Sequence, residues 1–313
     1  MKHRALFVAI LLSIIAASMG NYQEDAFPAL KGPYLGQKPP GKTPSIFSPG
    51  IISTENLGEA GSAFTKNGNL FIFNRRTPPE EHKTIYFTEV KNGFWTKPSP
   101  VPFNSPYADW DFHFAPDGKT LYFSSKRPVN QDNIPSKHSN IWVTGLTNSG
   151  WTEPCILEYP INTLGNHDCC GTLTKDGTLY FFSRREGGLG RSDIYRARLK
   201  EGKYMKVENL GKPINSEHSD YDSYIAPDES YIIFSSDRPG GYGKYNDIYI
   251  SFRKMNGTWT EPKNFGYEFR DSGINCVTLD NKFLFYTCGR TGEDDIYWVD
   301  ARIIEDLKPK ELK

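Results

Sequence analysis

The chain has 313 residues, with 37 basic and 37 acidic side chains and a formal net charge of zero. This balance leaves no electrostatic footprint for nucleic acid or anionic lipid, so we expect no nucleic-acid partner. Aromatic residues make up 14% of the chain, including 18 Tyr and 20 Phe. Such enrichment favours strands that pack sheet on sheet, so the composition predicts a β-rich fold.

The first residues have the order of a secretory signal peptide. A basic start, Lys2-His3-Arg4, precedes an apolar run from Ala5 to Ala17, and the chain turns polar at Asn21. We expect residues 1–20 to be cleaved and the protein to be periplasmic or extracellular. An uncleaved anchor helix is the alternative, but the run is shorter than the ~20 residues that a bilayer core requires. No later segment is apolar enough to predict a membrane span.

Five cysteines lie beyond the predicted signal peptide: Cys155, Cys169, Cys170, Cys276 and Cys288. In an oxidising compartment some of them should pair. We expect Cys276 and Cys288 to face each other across a hairpin, and a vicinal Cys169–Cys170 bond is a second possibility. The spacing does not resemble a zinc site, because the sequence contains no second Cys or His pair that could complete the ligand set with Cys169-Cys170.

Internal repetition is the strongest signal in the sequence. Five segments share one order of features, marked by the turn residues Asn67, Asp117, Asp176, Asp228 and Asp280. Successive markers are 50 to 59 residues apart. Each marker precedes a short aromatic run, such as Leu121-Tyr122-Phe123, and then a strand of the type Asp247-Ile248-Tyr249. A repeat of this length is typical of stacked or radially arranged units.

Each repeat predicts four strands. Pro116-Asp117-Gly118 is tight-turn chemistry, because Asp bonds its own backbone and Gly accepts a positive φ. Thr152-Glu153-Pro154 marks an outer strand, since Pro cannot donate to a ladder. We therefore predict an all-β fold, a β-propeller of four-stranded blades. A two-sheet sandwich is the alternative, but it would not require the same turn five times.

The repeat resembles the TolB-type, WD-like propeller repeat of bacterial envelope and secreted proteins. The resemblance rests on Pro116-Asp117-Gly118, on Tyr122-Phe123-Ser124-Ser125 with Arg127, and on Ser235 to Gly241 with Asp247-Ile248-Tyr249. It covers about residues 59 to 300 and implies a fold rather than an activity. The family suggests six blades, whereas five repeats are visible. Residues 21–58 are too few for a blade, so we expect an N-terminal extension with a ring-closing strand, a propeller over 59–304 and a tail over 305–313.

One mouth of the predicted channel should carry alternating charges. Eight positions before the turn marker stand the acids Glu59, Asp109, Asp168 and Asp220. The second strands return to the same mouth and end at Arg76, Arg127, Arg185, Arg238 and Arg290. The two sets could pair with each other and join the strands, or some members could be unpaired and bind a ligand.

Positions where the repeats differ are more informative about function than the positions that they share. Six positions before the marker the residues are Gly61, Asp111, Cys170, Asp222 and Ile274. Alternate residues of a strand point the same way, so Asp109 with Asp111, and Asp220 with Asp222, are expected to project together. The candidate ligand-binding residues are Asp109, Asp111, His113, His167, Asp168, Asp220 and Asp222. Oxygen ligands suit Ca²⁺, which makes Asp111 and Asp222 candidates for a metal.

Two functions remain open. The first is a non-catalytic binding or scaffolding propeller, acting as a monomer on a protein or carbohydrate partner at the propeller face. The second is a polysaccharide-acting hydrolase or lyase, with Asp109, Asp111, Asp220 and Asp222 as acid, base or metal ligands. The sequence contains no nucleophile elbow, phosphate loop or dinucleotide fingerprint, which favours the first.

Overall fold

A computed structural model of the chain describes residues 27–77, 80–129, 134–289 and 292–313. The predicted signal peptide and Arg290 lie outside the described residues. The propeller belongs to the second of two compact units, Lys31–Lys313; of the first unit, Met1–Leu30, only residues 27–30 are described. Within the described part of the chain, no helix is long and apolar enough to cross a membrane.

The predicted β-propeller is confirmed, and it has five blades rather than six. Each blade is an antiparallel sheet, and in the first four blades the strands follow chain order outward from the channel. The first blade contains β2 (Glu59–Phe64), β3 (Leu70–Thr77), β4 (Glu80–Lys91), β5 (Phe94–Trp95) and β6 (Ser99–Pro100). The second contains β7 (Asp109–Phe114), β8 (Thr120–Ser125), β9 (Asn140–Thr147), β10 (Gly150–Trp151) and β11 (Cys155–Ile156). In both, the outermost strand is split into two short pieces.

The remaining blades have four strands each, in the described residues. The third contains β12 (Asp168–Leu173), β13 (Leu179–Ser183), β14 (Asp193–Lys200) and β15 (Lys203–Asn209). The fourth contains β16 (Asp220–Ile225), β17 (Tyr231–Ser236), β18 (Asp247–Phe252) and β19 (Lys263–Asn264). The fifth contains β20 (Ser272–Val277), β21 (Phe283–Cys288) and β22 (Asp295–Asp300), and its outermost strand comes from the other end of the chain.

That outermost strand is β1 (Ser45–Ile46), which pairs antiparallel with β22 and places Ser45 opposite Trp298. The fifth blade therefore contains both ends of the propeller sequence. Beyond β22 the chain forms the short helix α1 (Ile303–Leu307). Three 3₁₀ turns complete the described elements, at Tyr34–Gly36, Tyr267–Phe269 and Lys310–Leu312.

The turn markers act as the sequence predicts. Asp117 Oδ1 accepts hydrogen bonds from the backbone amides of Lys119 and Thr120, at 2.8 and 2.9 Å. Gly118 follows with φ of +70°, which only glycine adopts without strain. This local geometry folds β8 back on β7 and, repeated in each blade, sends the second strand back toward the same mouth.

The innermost strands form a closed ring, in the contact order β2, β7, β12, β16, β20 and back to β2. We call the end where these strands begin the upper mouth of the channel, and the end with the turns the lower mouth. Each innermost strand has a register shift of the bulge type near its middle. A bulge re-aims the residue that it contains, and this irregularity decides which side chains enter the channel.

The predicted pairing of Cys276 with Cys288 is wrong. In the register of β20 with β21, Cys276 stands opposite Phe285, and Cys288 stands opposite Ser272 at the other end of the hairpin. All five cysteines are free thiols; Cys155 is exposed and the other four are buried.

Candidate functional site

The acids that follow the repeat are structural. Asp109, Asp168 and Asp220 are at most 1% exposed. Arg127, Arg185 and Arg238 donate to them from two residues beyond the end of the second strand, with nitrogen–oxygen distances of 3.0, 2.9 and 2.6 Å. Each carboxylate also accepts a backbone amide and a hydroxyl from the preceding loop, as from Ser216 onto Asp220. The site that we propose therefore does not include these three acids.

Each arginine is stacked as well as paired. The Arg238 guanidinium lies 5.0 Å from the ring centroid of Phe234 and 5.1 Å from that of Tyr249. Equivalent aromatic pairs contact Arg127 and Arg185. The aromatic second and third strands of the repeat thus hold the cation against the buried acid.

The first blade uses a different arginine from the one expected. Arg75, not Arg76, pairs with Glu59 at 2.8 Å, while Arg76 contacts Asp294 at the surface. Arg75 stands directly opposite Glu59 in the sheet, where the second, third and fourth blades have a serine. The longer glutamate side chain can accept from this nearer position.

The acids that depart from the repeat, Asp111 and Asp222, lie at the bulges of their strands and not beside the arginines. Asp111, Cys170 and Asp222 occupy the bulge of their strands with φ of +46°, +57° and +45°. The expectation that Asp109 and Asp111 project together, and Asp220 with Asp222, is wrong, because the bulge breaks the alternation of the strand. The repeated acid turns between the strands toward its arginine, and the bulge residue enters the channel.

Side chains from three blades meet there. One ligand atom each from Asp111, Cys170 and Asp222 lies within 4.8 Å of the other two. The Cys170 thiol donates to Asp222 Oδ1 at 3.4 Å, and the Cys170 amide donates to Ser124 Oγ at 3.1 Å. Within the described part of the chain, no Lys, Arg or His forms an ion pair with either carboxylate. We call these three residues the channel triad.

Burial and mutual repulsion shape the charge of the channel triad. Burial raises the pKa of Asp222 to about 7, and the neighbouring Asp111 carboxylate adds to the shift. Burial likewise raises the pKa of Asp111, against the lowering effect of the Lys83 charge. The pKa of the Cys170 thiol is raised well above its usual value by burial and by both acids. Two like charges at this separation favour a shared proton or a bound cation.

Aromatic side chains stand beside the channel triad on its upper side. Trp110 and Tyr221 immediately precede Asp111 and Asp222, and both are partly exposed. Both pack on the buried cluster of Cys169, Cys170 and Phe182. The upper mouth therefore combines two partly exposed aromatic rings with an acidic floor.

His113 does not join this mouth. It lies four positions before the turn marker, where the five strands contribute a second ring: Ala63, His113, Thr172, Tyr224 and Cys276. These residues line a cavity of about 30 Å³ at the lower mouth. One water needs roughly 10–15 Å³, so this cavity has room for water rather than for an organic ligand.

His113 should make stability depend on pH. The residue is 7% exposed and its Nδ1 atom has no hydrogen-bond partner among the described residues. Burial lowers its pKa from 6.5 to about 4. A pKa lower in the folded state than in the unfolded state means that stability is full above the unfolded value and is lost as the pH falls toward the folded value.

We expect the parent chain to lose about 2 kcal/mol relative to His113→Leu between pH 7.5 and pH 5. Urea denaturation of both proteins at the two pH values measures this difference. Comparison with the variant removes the contributions of the carboxylates, which are common to both proteins. Parallel pH profiles would contradict the assignment of a neutral, buried imidazole.

His167 also lies outside the channel triad. Its Nδ1 atom is 2.9 Å from Ser139 Oγ, and its ring contacts His138 edge to face at 4.9 Å between centroids. Burial and then the Arg184 charge lower its pKa. Of the seven residues expected at the mouth, the structure thus brings together only Asp111 and Asp222.

Sequence reasoning missed Cys170 as a partner of these acids. Cys170 is one of the residues six positions before the turn marker, but a single cysteine at a position where two other repeats have aspartate does not indicate a ligand. Trp110 and Tyr221, each between two acids in the sequence, are likewise not among the predicted site residues.

The architecture and the channel define the class: a five-bladed β-propeller with two carboxylates and a thiol converging inside its ring. No protein-family model and no curated protein sequence matches the chain.

Solved structures with a similar fold exist at low sequence identity. A protein described as TolB from Agrobacterium tumefaciens is 17% identical, with a TM-score of 0.45 over 76% of this chain and 73% of that chain. TolB from Acinetobacter baumannii is 14% identical, with a TM-score of 0.44 over 77% and 54%, so this chain spans about half of it. An α-L-arabinofuranosidase from Lactobacillus brevis is 16% identical, with a TM-score of 0.49 over 74% and 84%. TolB proteins are thus among the structural neighbours, and the likeness concerns the fold alone.

Proposed function

We propose that this chain is a non-catalytic binding propeller of the periplasm or the cell exterior, which takes a protein or carbohydrate partner at its upper mouth. One observation carries the proposal: the acids that follow the repeat are neutralised by arginine, whereas Asp111 and Asp222 depart from it and have no ion-pair partner among the described residues. Groups that are left unneutralised inside a repeated scaffold are candidates for a bound ligand.

The surroundings of Asp111 and Asp222 support binding. Trp110 and Tyr221 offer partly exposed rings beside the acids. Aromatic rings supply contact area at low entropic cost and can stack on a sugar face or a basic side chain. The five strands that surround the site belong to a closed ring, so the site is rigid and costs little to organise.

The geometry does not favour the polysaccharide-acting alternative. Inverting glycosidases separate their two carboxyl groups by about 6.5–9.5 Å and retaining ones by about 5–5.5 Å. Ligand atoms of Asp111 and Asp222 lie within 4.8 Å of one another, with the Cys170 thiol between them. Asp109 and Asp220 are each held by an arginine, so neither is free to act as an acid or a base.

The test compares ligand binding with turnover. The purified chain is applied to arrays of glycans and of basic and neutral peptides, beside the double variant Trp110→Ala/Tyr221→Ala. We expect one ligand class to be bound by the parent and bound at least about tenfold more weakly by the variant, because each lost ring contact is worth about 1 kcal/mol. Phe94→Ala is the matched control, since Phe94 lies in β5, far out in the first blade, and is 37% exposed.

If Phe94→Ala weakens ligand binding as much as the double variant does, the upper mouth is not the binding surface. Hydrolysis or cleavage of any bound glycan by the parent chain, abolished in Asp111→Asn, would contradict a non-catalytic role.

A further inference from the structure

We propose that Asp111, Cys170 and Asp222 hold a divalent transition-metal ion of the zinc class in the channel, with the Ser235 hydroxyl at the edge of the site. This inference rests on the proposed function, because it names the occupant of the acidic floor at the upper mouth. It fails separately, since the aromatic rim could bind a partner without any metal.

The distances fit an ion of this kind. Zinc bonds of about 2.3 Å to sulfur and 2.0–2.2 Å to oxygen, at a tetrahedral angle, set the sulfur and oxygen ligands about 3.5 Å apart. Cys170 Sγ and Asp222 Oδ1 are 3.4 Å apart. The ligand atom of Asp111 lies within 4.8 Å of both, so a small rotation of its side chain completes three ligands and leaves a fourth position open.

An orphaned hydroxyl points to the same place. Ser235 is fully buried, and its Oγ atom has no hydrogen-bond partner among the described residues. It faces Asp222 across Gly273: a Cβ on Gly273 would lie 3.5 Å from Asp222 Oδ2 and 3.8 Å from Ser235 Oγ. A buried hydroxyl without a partner costs about 1–3 kcal/mol, and a ligand or its bound water would relieve this cost.

Equivalent positions in other blades show that the orphaned hydroxyl is a local feature. Ser124 stands at the same register position in the second blade, where it accepts the Cys170 amide. Thr287 stands at this register position in the fifth blade, and its hydroxyl accepts a hydrogen bond from the backbone amide of Gly61. Ser235 accepts no such amide, so the fourth blade leaves an unsatisfied hydroxyl beside Gly273, next to Asp222.

The donor set selects the metal. Ca²⁺ takes six to eight oxygen ligands, and two carboxylates with a thiol do not supply them. A thiol ligand shifts the preference to softer ions such as Zn²⁺. The sequence-based expectation of Ca²⁺ is therefore replaced. A thiol coordinates as the thiolate, so uptake of the ion forms a metal–sulfur bond and releases the Cys170 proton to solvent.

The test uses Co²⁺ as a spectroscopic substitute for Zn²⁺. The purified chain is stripped of metal, kept reduced and titrated with Co²⁺. We expect a single ion per chain, a thiolate-to-cobalt charge-transfer band in the near ultraviolet and visible bands of tetrahedral cobalt. Zn²⁺ should displace the cobalt stoichiometrically, and a large excess of Ca²⁺ should not.

Cys170→Ser and Cys169→Ser form a matched pair, because both remove a buried thiol and only the first belongs to the channel triad. Cys169 contacts Ser139 Oγ instead. The band should disappear in Cys170→Ser and persist in Cys169→Ser, and Ser235→Ala should weaken Co²⁺ binding about 10–100-fold. Thermal melting of each metal-free variant reports whether it folds.

Several results would overturn the proposal. They are the absence of a charge-transfer band in the parent chain, which needs no variant to fold, a band that survives Cys170→Ser, and displacement of cobalt by Ca²⁺. If array binding at Trp110 and Tyr221 persists while the parent binds no cobalt, the metal inference alone is lost. If cobalt binds as expected while the arrays show nothing, the proposed partner binding alone is lost.

Discussion

Replacing Arg238 by methionine should destabilise the propeller by about 3–5 kcal/mol, because the substitution leaves a buried charge without its partner. Asp220 is fully buried and its Oδ1 atom accepts Arg238 Nη2 at 2.6 Å. Methionine keeps much of the packing against Phe234 and Tyr249, so the loss reports the charge rather than a cavity. Urea denaturation followed by tryptophan fluorescence measures the free energy of unfolding.

The control is an exposed ion pair between a lysine and an aspartate. Lys42 and Asp306 are 2.5 Å apart, but their side chains are 54% and 56% exposed. Lys42→Met should therefore cost no more than about 1 kcal/mol. If Arg238→Met costs as little, the repeated arginine does not neutralise the repeated acid, and the assignment of Asp109, Asp168 and Asp220 as structural groups is wrong.

This pairing explains why the fold was predictable from the sequence. The acid, the arginine and the aromatic strands recur because the first four blades contain the same buried contact, and the turn at Asp117 recurs because each hairpin needs the same bend. Requirements that are repeated in space leave repeated residues in the chain, so the propeller fold and its five repeats could be predicted without coordinates, and the structure then decides between five and six blades.

The channel triad was only partly predictable, for a definable reason. Strand alternation placed Asp109 beside Asp111, but a bulge adds a residue and reverses the alternation beyond it. Glycine would have signalled a positive φ at this position, and Gly61 does so in the first blade. In the second, third and fourth blades the same conformation is adopted by Asp111, Cys170 and Asp222, which carry no such signal. The convergence of the three side chains therefore required the structure.

Replacing Phe47 by alanine should cost about 3–5 kcal/mol, as for other large buried aromatic residues. Phe47 directly follows β1 and is fully buried. Its ring lies 5.0 to 5.2 Å, between centroids, from the rings of Phe71, Phe285 and Trp298. These partners come from the first and fifth blades, so Phe47 packs at the point where the ring of blades closes. Urea denaturation of parent and variant gives the difference.

The large effect follows from how the ring is closed. β1 contributes only Ser45 and Ile46 to the sheet, and two residues of ladder are too few to hold the fifth blade by hydrogen bonds alone. The burial of Phe47 therefore adds to the closing free energy. Phe94→Ala, at a position that is 37% exposed, should cost less than about 1 kcal/mol. Limited proteolysis of Phe47→Ala should then cut first near β1 or β22, because a loosened closure exposes both strands. Equal stabilities of the Phe47 and Phe94 variants would mean that the backbone pairing, and not the aromatic side chain, closes the propeller.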